Sequence, residues 1–396
     1  MERLNDWSYK SIQRVETKFK RYLYDKINWN NRLVILFGAR GVGKTTMMLQ
    51  YLKENRPLNE ESLYASLDDL YFANNSIIDL VEEFAQKGGK YLFLDEIHKY
   101  KNWSIEIKSI YDNFPDLNLV LSGSSSTEIL KSEADLSRRA LFYHLNGLSF
   151  REFINFKYAK NYKSFSLAEL LENHKEISFG ISKEIRPIKE FLEYIGFGYY
   201  PFFIEDRSSY HQRIRQVINT VIEVDIPSVH TVDFNAVQNI KKLLGVISEI
   251  VPFKPNVKKL SEQIGISRES FTKYLKYLEK AEIVNLLYSQ SKGISFLNKP
   301  EKIYLNNSNL SFALNSNANI GNVRETFFLN QLNLEHKIRF SKKGDFIVDD
   351  KYLFEVGGKN KSPKQITGEE NAWVIADNID VSIGEKIPLW LFGFCY

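Results

Sequence analysis

The chain contains 396 residues, of which 43% are hydrophobic and 26% are charged, and its formal net charge is +4. This balance excludes a largely disordered protein, and at about 100–200 residues per domain the length predicts two to four domains. The single cysteine, Cys395, excludes a disulfide scaffold and a cysteine-based metal site. The opening residues lack an apolar signal segment, and no apolar run approaches the roughly 20 residues of a membrane span. We therefore expect a cytoplasmic protein that does not enter a membrane.

Short apolar runs alternate with longer amphipathic stretches in the first 150 residues. This alternation predicts a parallel α/β sheet. The predicted strands are residues 32–37, 62–67, 91–94, 117–121 and 141–145. Residues 151–250 are predicted to be mostly helical, and mixed α and β structure returns after residue 300.

A phosphate-binding loop follows the first predicted strand. Residues 38–45 read GARGVGKT and match the pattern G-x-x-x-x-G-K-[ST] in full. Glycines in such a loop allow backbone N–H groups to surround a phosphate at the start of a helix. Lys44 is expected to contact the β- and γ-phosphates of ATP and the Thr45 hydroxyl to ligate Mg²⁺. The candidate nucleotide-binding residues are Gly38, Gly41, Gly43, Lys44, Thr45 and Thr46.

Two carboxylates end the third predicted strand. Asp95 is the candidate Mg²⁺ ligand, and Glu96 is placed to act as general base toward an attacking water. The fourth predicted strand ends at Ser122 and Ser124, either of which is a candidate contact to the γ-phosphate. In P-loop ATPases of the additional-strand type, this fourth strand lies between the phosphate-loop strand and the carboxylate strand.

Two further residues near this site have open roles. Arg139 is a candidate arginine finger that would reach a neighbouring subunit of a homo-oligomer, with an exposed basic turn as the alternative. His98 follows Glu96 closely, and we expect it to be a packing or helix-start residue rather than a catalyst.

The sequence resembles a family of archaeal and bacterial AAA-like ATPases whose C-terminal half is a domain of unknown function related to restriction-type nucleases. The segments that carry the resemblance are residues 38–45, 94–99, 121–125, 136–140, 148–153, 196–201, 344–346 and 354–356. They span nearly the whole chain. Most members have Leu-x-Gly-Arg where this sequence has Leu136-Ser137-Arg138-Arg139, so the arginine is retained and the glycine is replaced.

A basic segment lies between residues 236 and 299, which contain 11 Lys and Arg but only 5 Asp and Glu. A short helix ending at Gly265 and a second helix beginning after Ser267 predict a helix-turn-helix, with a β wing at 283–297. The candidate DNA contacts, within residues 257–299, are Arg268, Lys273, Lys276 and Lys280. Protein contact is the alternative role for such a module, and any DNA binding would depend mainly on phosphates.

Acidic residues near the C-terminus suggest a nuclease-like site. Glu325, Asp345 and Glu355 match the acids of a restriction-type nuclease, but Gly357 stands where its lysine is expected. Lys359 could replace that lysine only if the turn at Gly357 and Gly358 folds it back. The domain is therefore an active nuclease, a degenerate relative of one, or an unrelated α/β module, and we favour the degenerate form. The apolar residues 387–394 are expected to form a docked tail.

The predicted architecture is an α/β P-loop ATPase domain at 1–150, a helical connector at 151–235, a winged helix-turn-helix at 236–299 and a nuclease-like α/β domain at 300–396. The leading hypothesis is a Mg²⁺-dependent ATPase that couples its nucleotide state to binding of DNA or a partner. The alternatives are a nucleotide-gated metal-dependent nuclease and a non-catalytic module whose assembly depends on ATP.

Overall fold

The computed structural model describes residues 1–124, 136–250, 252–289, 299–315 and 317–396. Their helices, in chain order, are α1 (Glu2–Arg14), α2 (Lys44–Asn55), α3 (Ile77–Gln86), α4 (Trp103–Asn113), α5 (Phe150–Tyr158), α6 (Leu167–Ser182), α7 (Pro187–Phe197), α8 (Tyr210–Thr220), α9 (Ile226–Val229), α10 (Phe234–Ile250), α11 (Val257–Ile264), α12 (Arg268–Lys280), α13 (Ser308–Leu314) and α14 (Ile320–Leu332). Their strands are β1 (Leu33–Gly38), β2 (Ser62–Ser66), β3 (Tyr91–Asp95), β4 (Asn118–Ser124), β5 (Leu141–His144), β6 (Val284–Leu287), β7 (Lys302–Leu305), β8 (Ile338–Phe340), β9 (Phe346–Val348), β10 (Tyr352–Gly357), β11 (Ala372–Ala376) and β12 (Lys386–Pro388).

The chain divides into two compact units. The first contains residues 1–147 together with the short segment 224–231, and the second contains residues 148–223 and 232–396. The division into four domains made from the sequence stays a prediction. Among the described residues, no helix is long and apolar enough to cross a membrane.

The first unit is built on a five-stranded parallel sheet with the strand order β2-β3-β4-β1-β5. All five strands predicted from the sequence are present, and β4 lies between β1 and β3 as predicted. Strand β1, between β4 and β5, is apolar along its length, and Leu33 to Leu36 are fully buried, as is typical of a parallel strand covered on both faces. Parallel strands bring their carboxyl ends to one edge, which therefore collects the residues that follow β1, β3 and β4.

The core of the second unit is rich in aromatic residues. Phe150 packs against Tyr194 and Phe394, with ring centroids 5.6 and 5.9 Å away. The residues from Leu389 to Phe394 are buried in this core, so the prediction of a docked tail is confirmed. The five-stranded sheet of this unit has the order β12-β11-β10-β9-β8 and mixes parallel and antiparallel pairs.

The basic segment contains the two helices predicted for it. Helix α11 ends at Gly265, whose φ of 78° lies in the left-handed region that glycine adopts readily. The Ser267 side chain accepts a hydrogen bond from the Ser270 N–H and caps α12. Strand β6 occupies the first part of the predicted wing and pairs with β7. The second predicted wing strand, at 294–297, lies outside the described residues.

Candidate functional site

The loop of residues 38–45 connects β1 to the start of α2. Gly41 and Gly43 have φ values of 84° and 99°, which L side chains rarely adopt. At Gly38 a Cβ atom would lie 2.2 Å from the carbonyl oxygen of Leu145, so only glycine fits there. The sequence motif therefore corresponds to real constraints on the backbone, which turns tightly so that the N–H groups at the N-terminus of α2 can face an anion.

Lys44 lies within this loop. Its Nζ donates hydrogen bonds to the carbonyl oxygens of Gly38 and Ala39, at 2.8 and 2.9 Å. Because both acceptors belong to the loop itself, the ammonium group is held where a bound phosphate would be surrounded by backbone N–H groups. Thr46, by contrast, is exposed in the first turn of α2, and its role in nucleotide binding stays a prediction.

A buried carboxylate gathers three hydroxyl groups beside the loop. Thr45 Oγ1 and the Tyr64 hydroxyl donate to Asp95 Oδ2, at 2.6 and 2.9 Å. The Ser122 hydroxyl donates to Asp95 Oδ1. These donors come from α2, β2 and β4, so Asp95 connects three elements at the carboxyl edge of the sheet. Carboxylate and hydroxyl oxygens are the ligands that Mg²⁺ prefers, and Asp95 and Thr45 fit that ion.

Tyr64 is a site residue that the sequence reasoning missed. Burial and the neighbouring Asp95 carboxylate raise the pKa of Tyr64, so its hydroxyl stays protonated and donates to Asp95. The available signal was a tyrosine hydroxyl in the middle of a predicted strand, but only the strand order, which puts β2 next to β3, gives that signal a meaning.

Glu96 is less deeply buried than the carboxylate beside it. Its φ of 57° is left-handed, which is uncommon for a residue other than glycine and is often found at functional sites. The Glu96 side chain is 23% exposed, whereas Asp95 is 3% exposed. The two neighbouring carboxylates thus differ in environment, one fixed by hydrogen bonds and one reaching toward solvent.

His98 lies against Glu96, closer to the site than the sequence suggested. The distance from His98 Nε2 to Glu96 Oε2 is 3.4 Å, and the ring is buried. Of the two serines proposed as γ-phosphate contacts, Ser122 binds Asp95, and the backbone N–H of Ser124 donates to His98 Nδ1 at 3.3 Å.

Arg21 supports the phosphate loop from outside and was not anticipated. This buried side chain donates to the carbonyl oxygen of Val42, within the loop. It also donates to the carbonyl oxygens of Asn146 and Gly147, at 2.7 and 2.9 Å. One guanidinium group therefore fixes the loop to the segment that follows the sheet.

Arg139 forms an ion pair within its own unit. Its Nε and Nη2 atoms donate to the two carboxylate oxygens of Asp112, both at 2.9 Å. The pair accounts for the position of the arginine in this chain, and its role as a finger stays a prediction.

The acids near the C-terminus lie close together but are paired with lysines. Lys302 Nζ is 2.9 Å from Glu325 Oε2 and 3.4 Å from Asp345 Oδ1. The prediction for Lys359 is corrected: it is Lys361 that pairs with the buried Glu355, because a turn closed by the Lys361 N–H and the Gly358 carbonyl brings it back. Lys359 itself is exposed.

The electrostatics of this cluster follow from its burial. Burial together with the charges of Asp345 and Glu325 raises the pKa of Glu355, although Lys361 acts in the opposite direction. In the part of the chain that the structure describes, no group of three or more His, Cys, Asp or Glu residues is arranged to hold a metal ion. The ammonium groups of the two lysines balance the carboxylates instead.

The basic face of α12 is smaller than the sequence pattern suggested. Lys276 donates to Glu279 Oε2 at 2.8 Å and to the Tyr288 hydroxyl at 2.6 Å, so it is engaged within its own unit. This corrects its assignment to an outer DNA-binding face. Phe271, Leu275 and Leu278 form the buried face of the helix.

Comparison with known sequences finds two family matches and one relative. Residues 30–154 match the family described as an AAA domain. Residues 188–320 match a domain of unknown function. The chain is 25% identical over 333 residues to the uncharacterized protein MJ1637 of Methanocaldococcus jannaschii, a match that covers 76% of this chain and 70% of that protein.

Two solved structures show weaker likenesses. AMPPCP-bound DnaA from Aquifex aeolicus is 13% identical with a TM-score of 0.27, covering 70% of this chain and 88% of its own. A variant of Thermotoga maritima RuvB is 15% identical with a TM-score of 0.26, covering 72% of this chain and 89% of its own. TM-scores this low do not establish a common fold.

Proposed function

We propose that the chain hydrolyses ATP in the presence of Mg²⁺ at the edge of the first sheet, with Glu96 as the general base. The observation that carries this proposal is the pair of carboxylates at the end of β3. Asp95 is fixed by the hydroxyls of Thr45, Tyr64 and Ser122, and Glu96 reaches toward solvent beside it.

The phosphate loop and the two carboxylates have separate tasks in this reaction. The backbone N–H groups after Gly41 and Gly43 bind phosphate oxygens, and Lys44 exchanges its carbonyl partners for the β- and γ-phosphates. Thr45 and Asp95 would hold Mg²⁺, which supplies positive charge next to the transferring phosphate when it is bound. Glu96 orients a water molecule and accepts its proton.

The Lys44→Ala variant tests this proposal. Because the variant lacks the charge that stabilises the developing negative charge on the phosphates, phosphate release should fall by about 100-fold or more. The matched control is Lys87→Ala, which removes an exposed lysine that pairs with Glu83 at the end of α3. Turnover of Lys44→Ala at the wild-type rate would contradict the proposal. A wild-type chain that binds ATP without hydrolysing it would favour the non-catalytic module.

We further propose that α12 contacts DNA phosphates through Arg268, Lys273 and Lys280. Two observations support this second role: the excess of 11 basic over 5 acidic residues in 236–299, and the amphipathic helix that buries Phe271, Leu275 and Leu278 on its other side. Binding through phosphates gives affinity that falls steeply with salt.

For residues 300–396, within the second unit, we propose a degenerate nuclease-like domain. Glu325, Asp345 and Glu355 are placed close together, but Lys302 and Lys361 pair with them. An ammonium group that is already bound to these carboxylates competes with a divalent metal for the same oxygens. We therefore expect the cluster to contribute to stability rather than to cleavage of nucleic acid.

A further inference from the structure

A short segment from far along the chain contributes a buried acid to the first unit. Residues 224–231 belong to this unit, although their neighbours in sequence on both sides belong to the second. Asp225, directly before α9, is 2% exposed. Its Oδ1 atom is 3.4 Å from Arg40 Nη1. Arg40 occupies one of the four unspecified positions of the phosphate-loop pattern.

Asp225 also faces the ring of His98. The distance from Asp225 Oδ1 to His98 Nε2 is 3.8 Å, and the same nitrogen is 3.4 Å from Glu96 Oε2. His98 Nδ1 accepts a hydrogen bond from the Ser124 N–H, a backbone donor that cannot reverse its role. In the neutral ring the proton is therefore on Nε2, the nitrogen that lies between the two carboxylates.

Neither carboxylate accepts a hydrogen bond from this N–H group. Within the described residues, His98 Nε2 and Asp225 Oδ2 are buried and make no hydrogen bond. Buried polar atoms without a partner are rare and costly, so a small shift of the ring toward either acid is favourable. Burial alone would raise the pKa of Asp225, but the proximity of His98, Arg40 and Lys99 outweighs it and lowers that pKa. Asp225 is thus an anionic acceptor.

We propose that Asp225 is a positioning residue that competes with Glu96 for the Nε2–H of His98. When His98 donates to Asp225, the Glu96 carboxylate is free to accept the proton of the attacking water. When His98 donates to Glu96, that carboxylate is held away from the water. This inference rests on the proposed role of Glu96 in ATP hydrolysis.

The competition predicts an unusual pattern among variants. Asp225→Ala leaves Glu96 as the acid that accepts from His98, so kcat should fall about tenfold or more while the KM for ATP changes less than about threefold. The double variant His98→Ala/Asp225→Ala removes the donor as well and should recover most of the lost kcat. A merely structural role for Asp225 would make the double variant as slow as the single variant or slower.

The experiment is steady-state ATP hydrolysis by the full chain, with affinity for a fluorescent ATP analogue measured in parallel. Asp225→Asn, which keeps the size of the side chain, serves if Asp225→Ala does not fold, and it should lower kcat in the same direction. Glu83→Ala is the control, because it removes an exposed acid in α3. The inference is overturned if Asp225→Ala has the wild-type kcat. It is also overturned if the kcat of His98→Ala/Asp225→Ala is no higher than that of Asp225→Ala. If the wild type shows no turnover that depends on Lys44, the proposed function itself fails, and this inference fails with it.

Discussion

At the scale of single residues, the site depends on how Asp95 is held. A carboxylate that binds a metal must present its oxygens in a fixed direction, and here hydroxyls from three elements determine that direction. Thr45 is also a candidate ligand of the ion, whereas the hydroxyls of Tyr64 and Ser122 hold the acid in place, and a contact of Ser122 to the γ-phosphate stays a prediction. The contribution of orientation can therefore be measured separately from that of ligation.

Tyr64→Phe should weaken Mg²⁺ binding without disturbing the loop. The variant removes one hydrogen bond to a charged group, so the Mg²⁺ concentration for half-maximal ATP turnover should rise about threefold to tenfold. The measurement is a magnesium titration of phosphate release at saturating ATP.

Tyr100→Phe is the matched control for this titration. It removes a hydroxyl that donates to a carboxylate of similar kind, Glu106, at 2.9 Å, but away from Asp95. If both variants have the wild-type magnesium dependence, Tyr64 has no part in the metal site.

At the scale of elements, the candidate DNA-binding helix makes a prediction with an internal control. Lys273 and Lys280 are two of the three proposed phosphate contacts on α12, whereas Lys276 on the same helix is engaged by Glu279 and Tyr288. Each lost phosphate contact should reduce the slope of log affinity against log salt by about 0.9.

The measurement is duplex DNA binding across a salt series for three single variants. Lys273→Ala and Lys280→Ala should each flatten the salt dependence, and Lys276→Ala should not. Equal slopes for all of these proteins, or no binding by the wild type, would leave protein contact as the role of this helix.

The elements also show what sequence patterns can and cannot predict. The phosphate loop was predictable in full, because its glycines and Lys44 act within eight consecutive residues. Tyr64 was not, because its function depends on which strand lies next to β3. Lys276 was assigned to the outer face by helical spacing, which carries no information about Tyr288 in the following segment. Lys361 was missed because the turn after Gly358 decides which lysine reaches Glu355.

At the scale of the whole molecule, each unit has its own cluster of charged residues. The second unit contains Lys302 between Glu325 and Asp345. Burial opposes the charged form of this lysine, but the two carboxylates outweigh it and raise the pKa of Lys302. This raised pKa means that the folded state is stabilised by the protonated lysine.

Lys302→Met should therefore destabilise the chain by about 3 kcal/mol at neutral pH, because it leaves two partly buried carboxylates without their counter-charge. The measurement is denaturant unfolding between pH 7 and 11. The stabilising effect of Lys302 is fully present below its unfolded pKa of about 10.4 and is lost as the pH rises through the folded pKa, so the two proteins should converge at high pH.

Lys343→Met is the control for that experiment, since it removes an exposed lysine paired with Glu369. Equal stability of Lys302→Met and the wild type would show that the cluster does not need its ammonium group. A site open to a metal would then be the better description of these acids.

Long-range arrangement was the part of the molecule least visible in the sequence. The five strands of the first sheet were predictable because hydrophobic runs are local, whereas the place of β4 was expected from the strand order of additional-strand P-loop ATPases. The return of residues 224–231 to the first unit was not, since nothing near Asp225 in sequence indicates Arg40 or His98 as neighbours.

The most direct test of the central claim is the fate of ATP bound to the Glu96→Gln variant. Radiolabelled ATP and Mg²⁺ are mixed with the full chain, free nucleotide is removed, and the bound nucleotide is extracted and separated. Because a general base contributes about 100-fold to 10,000-fold, Glu96→Gln should retain intact ATP over a time in which the wild type releases ADP and phosphate. Formation of ADP by Glu96→Gln at the wild-type rate would contradict the assignment of Glu96 as the general base.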